Sequence, residues 1–432
     1  MNPWGYHAVN LALHLAAVLL LLSVLESGAL KALIPRPVAF TAVALFAVHP
    51  MLTEPVTYVF ARSILIATVF GLLAFRSWLS GREWLAVGWF ALAMLGKEEC
   101  AAIPVVLLVF ARAFPSKTRR APLLAMFVIA IALGVRVIWA TSVTAGSGAG
   151  AEAGITPLAY FTAESWVILQ YFGRVIVPWG FSVDYEATPL PLIAGAGLWI
   201  LLLAPLAYRK PACWWYLAGL ILLLPSSSIL PAADLAADRR MYLPMTAFSV
   251  CLALLFEKLD RRAWTAVIAI LIAISIRYTH LWRSPEALWT EAVTHAPDKV
   301  RPRIQLARAL PPERSLVVLD EALRLAPNDP SIQTERGRDL LALGRPADAL
   351  SAFGRALAVA PQDPKAMNNR GTALLALGQN DAARSDFERA LTLDPCLFDA
   401  RLNLLRLGVR TSPNETCRYA PDQASMLGEP PR

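Results

Sequence analysis

The sequence predicts an all-α protein in two parts, a polytopic membrane helix bundle followed by an α-solenoid. Of its 432 residues, 56% are hydrophobic and only 17% are charged, which excludes an ordinary soluble domain. The apolar residues are concentrated between Ala8 and Leu281, whereas the chain beyond Pro297 has the composition of a soluble helical domain. We therefore predict a membrane domain over residues 1–281, a helical domain over 282–409 and a tail over 410–432.

The membrane part contains ten apolar runs that suit helices crossing a bilayer. A hydrocarbon core of about 30 Å needs roughly 20 helical residues, and fewer where the bilayer adapts. The runs are 8–25, 38–49, 62–79, 84–96, 101–114, 122–141, 190–207, 212–230, 241–256 and 263–281. With this count, the short loops rich in Lys and Arg all fall on one side, which predicts that this side is the cytoplasm.

One further segment, 161–178, is apolar enough to be mistaken for a span. If it crossed the membrane, every later basic loop would move to the other side. We therefore predict that it lies along the outer face or dips into it, with Glu164, Gln170 and Arg174 on its polar side.

The stretch from Phe46 to Arg62 separates two spans and carries a histidine, a glutamate, an arginine and two prolines. Polar groups are costly in hydrocarbon, so we expect them to face water or a cavity at the outer rim of a site. On the same topology, the outer face also holds most other polar chemistry of the membrane part: Lys97, Glu98, Glu99, Arg174, Asp184, Glu186, Asp234, Asp238, Arg239, Arg240 and Tyr242.

The net charge of +8 does not indicate a nucleic-acid partner. Most basic residues of the first part lie in short loops, where they act as determinants of topology. The five cysteines show no metal-ligand spacing, so no metal site is indicated. Cys396 and Cys417 both fall in the exported part, which permits a disulfide between the tail and the preceding helices.

The second part contains an internal repeat. Residues 329–361 and 363–395 match at 16 of 33 positions at an offset of 34. A 34-residue period with small residues at the helix crossings is typical of tetratricopeptide repeats, in which paired helices stack into a superhelix. A shortened copy runs from about Trp289 to Pro327, and residues 397–409 supply a closing helix. Such arrays bind peptides or other proteins, and nothing in the repeats indicates catalysis.

Several short motifs, in this order and with this tail, resemble one family. They are Gly5, Tyr6 and His7 with Asn10 and His14, then His49 and Pro50 with Glu54 and Arg62, then Lys97 and Glu98 followed by Pro104, and finally Ala237 to Pro244. The chain resembles the TMTC proteins and their bacterial relatives, multispanning O-mannosyltransferase-type enzymes of the GT-C superfamily. The resemblance implies a GT-C-like fold in the membrane domain and transfer of a sugar, mannose or another hexose, from a polyprenyl-phosphate carrier. The acceptor would be a hydroxyl of an exported protein or glycan.

In such enzymes an acidic residue in the first outer loop activates the acceptor, and basic residues hold the carrier phosphate. The resemblance aligns Met1 with the family's second span. We therefore expect that an amino-terminal piece is missing. Either the gene model begins too late, or this is a degenerate copy without the base.

The resemblance assigns Lys97, Arg239 and Arg240 to the carrier phosphate. For Lys97 the alternative is a snorkelling side chain neutralised by its neighbours, and for the two arginines it is a structural salt bridge. Glu54 is the catalytic candidate, either as the base or as the group that orients it. A loop-closing pair between Glu54 and Arg62 is the competing interpretation.

The remaining candidates for a substrate cavity are His49, Arg62, Arg174, Asp184 and Tyr242. His49 is equally compatible with a helix end that holds a hydrogen-bonded ring, and Asp184 and Glu186 with exposed loop charges. His7, Asn10 and His14 form a polar stripe that favours helix packing over metal ligation.

These observations leave two main functional hypotheses. The first is a membrane glycosyltransferase with a polyprenyl-phosphate sugar as donor substrate and no certain cofactor. The second is a non-catalytic, membrane-anchored scaffold whose repeats recruit protein partners. A transporter is a distant third, because charges inside the spans are scarce. We expect a bacterial cytoplasmic membrane protein with its repeats on the periplasmic side.

Overall fold

The computed structural model describes residues 4–113, 120–143, 155–185, 190–208, 210–227, 236–411 and 417–428. The described chain is 81% helical and contains no strand, so the all-α prediction is confirmed. It divides into two compact units between Ser284 and Pro285.

The first unit contains thirteen α-helices within its described residues. They are α1 (Trp4–Leu25), α2 (Gly28–Leu33), α3 (Arg36–Val48), α4 (Thr53–Thr57), α5 (Arg62–Leu79), α6 (Glu83–Gly96), α7 (Ile103–Ala113), α8 (Arg120–Val143), α9 (Pro157–Ile176), α10 (Leu192–Leu203), α11 (Pro211–Leu223), α12 (Tyr242–Leu255) and α13 (Arg261–Leu281). A helix therefore occurs at each of the ten predicted spans, and α9 occupies the segment predicted to stay at the surface.

Fewer than ten of these helices are long and apolar enough to cross a membrane by themselves. Among the described residues four qualify: Trp4–Leu25, Val59–Leu79, Arg120–Thr141 and Arg261–Leu281. A fifth arises if Arg36–Val48 and Pro50–Thr57, which meet at a 50° bend, form one broken span. Shorter apolar helices lie at Glu83–Gly96, Leu192–Tyr208 and Pro211–Leu223, and α9 is in neither group. The count of ten spans stays a prediction.

The core of this unit is packed by large side chains against small ones. His14, Phe46 and Tyr242 bring α1, α3 and α12 together, with 5.5 Å between the ring centroids of Phe46 and Tyr242. Where α11 crosses α12, a Cβ built on Gly219 would lie 2.5 Å from the Phe248 ring. Only glycine allows this approach, because a methyl group there would overlap the ring.

The polar break between Phe46 and Arg62 consists of short helical turns. Helix α3 ends at Val48, where the following proline restricts His49 to an extended conformation. A 3-10 turn (Pro50–Leu52), helix α4 and a second 3-10 turn (Val59–Ala61) then lead into α5. The break therefore places Glu54 in the first turn of a short helix of its own.

The second unit is a series of α-helices joined by short turns. They are α14 (Pro285–His295), α15 (Val300–Ala309), α16 (Pro312–Leu325), α17 (Pro330–Ala342), α18 (Pro346–Val359), α19 (Pro364–Ala376), α20 (Asn380–Leu393), α21 (Phe398–Arg406) and α22 (Pro421–Leu427). The two matching sequence copies form α17 with α18 and α19 with α20. The shortened copy, which begins at about Trp289, covers the end of α14 together with α15 and α16, and α21 is the closing helix.

The repeated glycines explain why the two copies fold alike. A Cβ on Gly337 would lie 2.5 Å from the Phe353 ring, and a Cβ on Gly371 would lie 2.6 Å from the Phe387 ring. These glycines let the two helices of each pair approach closely, and Gly344 ends α17 with a φ of +69°. The tail is joined to the array by a disulfide between Cys396 and Cys417.

Candidate functional site

The centre of the candidate site is an ion pair between Glu54 and Arg239. The Glu54 carboxylate accepts hydrogen bonds from the backbone N–H of Arg239 at 3.1 Å and from its Nη1 at 3.0 Å. Glu54 is buried, with 6% of its side chain exposed, whereas 34% of the Arg239 side chain is exposed. The expected alternative, a Glu54 pair with Arg62, is not formed. Glu54 instead fixes the backbone and the guanidinium of an arginine that reaches the surface.

Asp238, the residue before Arg239, points into the protein. The Tyr185 hydroxyl donates to its Oδ2 at 2.6 Å, and the Arg174 guanidinium lies 3.8 Å from the centroid of the Tyr185 ring. Burial, together with the nearby charge of Glu54, raises the pKa of Asp238 to about 8. Arg174 therefore acts on this cluster through an aromatic ring, in a cation-π contact.

Arg240 does not fit its expected role at a carrier phosphate. Its Nη1 donates to Glu164 Oε1 at 3.0 Å and to the Tyr160 hydroxyl at 3.2 Å. Only 7% of the Arg240 side chain and none of the Glu164 side chain is exposed. This buried pair joins α9 to the turn before α12, so the structural salt bridge is the interpretation that the structure supports. Glu164 accordingly lies on the buried side of α9, not on an exposed polar side as predicted.

A second contact fixes the same turn to α9. The Tyr171 hydroxyl donates to the Ala237 carbonyl at 3.0 Å and accepts from the Ala237 N–H at 2.7 Å. Ala237 is extended, and the 3-10 turn Asp238–Met241 follows directly. Asp238 and Arg240 are consequently held inside the protein while Arg239 is directed outwards.

Lys97 follows α6 and precedes the 3-10 turn Glu98–Ala102. Its Nζ pairs with Glu98 Oε1 at 3.2 Å, and a third of the side chain is exposed. The next residue, Glu99, is buried, and burial raises its pKa to about 7, while the charges of Lys97, Arg240 and Arg239 act in the opposite direction. Lys97 and Arg239 are thus both within electrostatic range of one buried carboxyl group.

Four of the five residues predicted for a substrate cavity have structural partners elsewhere. Arg62 donates to Asn10 Oδ1 at 3.0 Å and packs on the Tyr6 ring. His49 Nε2 lies 3.1 Å from the Val175 carbonyl, and His49 Nδ1 accepts from the Met51 N–H at 3.2 Å, as expected for a helix end with a bonded ring. Tyr242 is buried against His14, with 2.9 Å between its hydroxyl and His14 Nδ1, and Asp184 is buried in a backbone turn with Ser182.

The expectation of exposed loop charge at Asp184 is therefore wrong, since only 5% of the residue is exposed. Glu186 and Asp234 lie outside the described residues. His14 and Asn10 are used in packing, as their stripe predicted: His14 Nε2 is 3.0 Å from the Ala47 carbonyl, and Asn10 donates to the Val56 carbonyl at 3.2 Å. Among the described residues, no three His, Cys, Asp or Glu side chains are arranged to hold a metal ion.

The buried tyrosines of the site, Tyr160, Tyr171 and Tyr185, were not among the residues predicted from the sequence. The Tyr171 and Tyr185 hydroxyls donate hydrogen bonds to Ala237 and Asp238. The Tyr160 hydroxyl accepts from Arg240 and donates to the Ser226 carbonyl. A signal existed for two of them, since Tyr160 and Tyr171 lie on the same face of α9 as Glu164. Their partners are more than 60 residues away in sequence, and no local pattern identifies such contacts.

The first unit is thus an assembly of apolar helices with a cluster of acidic, basic and phenolic side chains, and the second is a tetratricopeptide array. The tetratricopeptide-repeat family model matches residues 334–395. The chain is similar to the protein O-mannosyl-transferase F38B6.6 of Caenorhabditis elegans, at 24% identity over 71% of this chain and 48% of that protein. It is also similar to the mouse protein O-mannosyl-transferase TMTC4, at 25% identity over 68% of this chain and 51% of that protein.

These relatives confirm the resemblance to the TMTC proteins over about 70% of the chain. The chain spans about half the length of the curated relatives it matches. Among solved structures, the first tetratricopeptide domain of Spaghetti (RPAP3), bound to an HSP90 peptide, matches 22% of this chain and 77% of its own at 28% identity and a TM-score of 0.22. The apolar helices and the relatives together are consistent with a membrane location.

Proposed function

We propose that this protein is a membrane glycosyltransferase of the GT-C type that transfers a sugar from a polyprenyl-phosphate carrier to a hydroxyl of an exported protein or glycan. The observation that carries the proposal is Arg239, whose guanidinium is exposed on one side and fixed by Glu54 on the other. A planar, pre-oriented guanidinium suits a phosphate group, because it offers several N–H donors in a fixed geometry. Names of relatives that specify protein O-mannosyl-transfer support the same chemistry.

In this proposal Arg239 and Lys97 hold the carrier phosphate as it becomes the leaving group. Positive charge placed where negative charge develops lowers the barrier of the transfer. Glu54 is buried and orients the Arg239 guanidinium through a hydrogen bond, so we assign it as a positioning residue. Arg240 is left out of the phosphate site because it is buried against Glu164.

The proposed topology has ten spans with the site on the outer face. The ten helices at the predicted positions support it. With this topology the tetratricopeptide array lies on the periplasmic side of a bacterial cytoplasmic membrane, where it would hold an exported protein acceptor.

The test is sugar transfer by the purified full chain in detergent micelles. The donor is polyprenyl-phosphate mannose and the acceptor is a peptide rich in Ser and Thr. We expect transfer by the unaltered chain and a loss on the order of 10-fold or more in Arg239→Ala and in Lys97→Ala, since hydrogen bonds to charged groups contribute about 1.5–3 kcal/mol. Arg277→Ala removes an arginine that packs on Trp179 and serves as the matched control.

A non-catalytic scaffold is the second candidate, and the observation that favours it is the tetratricopeptide array. If the scaffold is the function, the unaltered chain transfers no sugar, and the Arg239→Ala variant retains every protein partner. Capture of partners by the full chain and by this variant, measured beside the transfer assay, separates the two functions.

A further inference from the structure

The charges of the tetratricopeptide array are separated between its two sets of helices. The first helix of each pair and the closing helix, which are α15, α17, α19 and α21, together carry nine basic and three acidic residues. The second helices, α16, α18 and α20, carry five basic and seven acidic residues. The array therefore has a basic set of helices and an acidic set.

The four helices of the basic set lie side by side. Helix α15 packs on α17, α17 on α19 and α19 on α21, so together they line one surface of the array. Arg308 of α15 reaches Glu335 of α17, with 2.8 Å between Arg308 Nε and Glu335 Oε1. Further along, Asn403 of α21 donates a hydrogen bond to Asn368 of α19 at 3.1 Å. These contacts join neighbouring helices of the basic set.

Two guanidinium groups on this surface share one carboxylate. Arg338 lies one turn after Glu335 and pairs with it at 2.6 Å, and Arg308 pairs with the same carboxylate. Only 9% of the Glu335 side chain is exposed, whereas 47% of Arg308 and 56% of Arg338 are exposed. Asp339, the other acidic residue of α17, accepts from Ser315 of the second set. The two arginines therefore present a net positive charge to solvent.

Two further basic residues extend this charge along α19 and α21. Arg406 is exposed and lies one turn after Asn403, to whose amide oxygen it donates at 3.4 Å. Lys365 is exposed and lies one turn before Asn369. Neither basic residue forms an ion pair within the described part of the chain. Asp399, one turn before Asn403, adds one acidic residue, so basic residues remain in excess.

An amide lies between the basic residues. Asn369 has the same position in its repeat as Glu335, because the two are separated by the 34-residue period. Its Oδ1 accepts from Asn368 at 3.4 Å, and its Nδ2 makes no hydrogen bond to another described residue. An amide side chain both donates and accepts, so it matches the N–H and C=O groups of an extended backbone. The oxygens of a lipid phosphate only accept, so an amide among guanidinium groups favours a peptide.

We propose that this basic face, formed by Arg308, Arg338, Lys365, Asn369 and Arg406, binds an extended acidic segment of a partner protein. Carboxylates of the segment pair with the guanidinium groups, whose planar donors suit them, while Asn369 contacts the backbone. The inference goes beyond sugar transfer and does not depend on it, since no residue of the first unit takes part. It specifies the charge of the proteins that the array selects.

The test is the binding of a fluorescein-labelled peptide to the purified full chain in neutral detergent micelles, measured by fluorescence anisotropy. The peptide alternates Asp with Ser, and a control peptide has Asn in place of every Asp. We expect the acidic peptide to bind about 10-fold or more tightly than the control. Its affinity should fall as salt is added, because the charges of the basic face are exposed.

Three variants of the full chain test the named arginines. Arg338→Ala and Arg406→Ala each remove an exposed guanidinium, and Arg338→Ala leaves Glu335 paired with Arg308, so we expect both variants to fold. Each change should raise the Kd for the acidic peptide by about 2- to 5-fold, and the double variant by about 10-fold. Arg384→Ala removes an exposed arginine of α20 that pairs with Glu388 and should leave Kd unchanged.

Two results would overturn the inference directly. One is equal affinity for the acidic peptide and the Asn peptide, and the other is equal Kd for the double variant and Arg384→Ala. Phosphatidylglycerol added to the micelles tests a lipid head group as the ligand. If it displaces the labelled peptide as effectively as unlabelled acidic peptide does, the basic face binds anionic lipid and the inference is wrong. Sugar transfer is measured separately, so either result leaves the proposed function standing.

Discussion

Replacing Glu164 by alanine should destabilise the first unit strongly, because it leaves a buried guanidinium without its counter-charge. Glu164 Oε1 lies 3.0 Å from Arg240 Nη1, with 0% and 7% of the two side chains exposed. Removal of one partner from a buried pair costs about 3–5 kcal/mol. The hydrogen bond from Arg240 to the Tyr160 hydroxyl is already present in the unaltered protein, so it does not replace the lost counter-charge.

The assay is the free energy of unfolding of the full chain in mixed detergent micelles, measured by titration with a denaturing detergent. Glu26→Ala breaks an exposed pair with Arg36 and should cost about 1 kcal/mol or less. A double variant, Glu164→Ala with Arg240→Met, removes both charges and should recover most of the loss. If Glu164→Ala lowers the free energy of unfolding by no more than Glu26→Ala does, the buried Glu164–Arg240 pair does not stabilise the first unit.

Three further predictions concern the pH dependence, the repeats and the tail. Because the pKa of Asp238 is raised to about 8, the folded state binds a proton that the unfolded state has lost between pH values of about 4 and about 8. The free energy of unfolding should therefore fall as pH rises through this range. Asp238→Asn should flatten that slope in unfolding titrations. Gly371→Ala should cost about 1–3 kcal/mol by overpacking against Phe387, whereas Gly354→Ala, with open space around its Cβ, should be neutral or stabilising in the same thermal melt. Thiol titration of the denatured chain should find three groups before reduction and five after it, since two of the five cysteines are joined; five groups before reduction would contradict the disulfide.

Local sequence patterns predicted the helices and the repeats but not the pairing of the site. The 34-residue period identified the helix pairs around Phe353 and Phe387, because each repeat makes its main contacts within itself or with its neighbour. Apolar runs likewise located ten helices of the first unit. These features depend on residues that are close in sequence, which is why they could be predicted.

The site depends on contacts between distant segments. Glu54 and Arg239 are 185 residues apart, so sequence proximity favoured Arg62 as the partner of Glu54, and this expectation was wrong. Arg62 instead pairs with Asn10, because α1 packs along α5 and presents an amide at that point. The same limitation affected Arg240, whose neighbour Arg239 has the same side chain but points to the opposite side of a 3-10 turn.

The prolines of the polar break predicted where α3 ends, but nothing in the break predicted the partner of Glu54. Two prolines within a few residues of His49 predicted that the helix would end there, and the structure ends α3 at Val48. What the sequence could not show is that the break turns Glu54 towards the chain before α12. That orientation depends on tertiary packing of α4 with α1, α5, α13 and the turn Asp238–Met241.

Binding of the carrier phosphate by Arg239 is tested most directly by the affinity of the purified full chain for polyprenyl phosphate, measured for the unaltered protein, Arg239→Ala and Arg277→Ala. If Arg239 binds the carrier phosphate, its loss removes a charged hydrogen bond of about 1.5–3 kcal/mol, which raises Kd by about 10- to 100-fold. Arg277→Ala should leave Kd unchanged, because Arg277 packs on Trp179. Equal affinities for all three proteins would show that Arg239 does not bind the carrier phosphate.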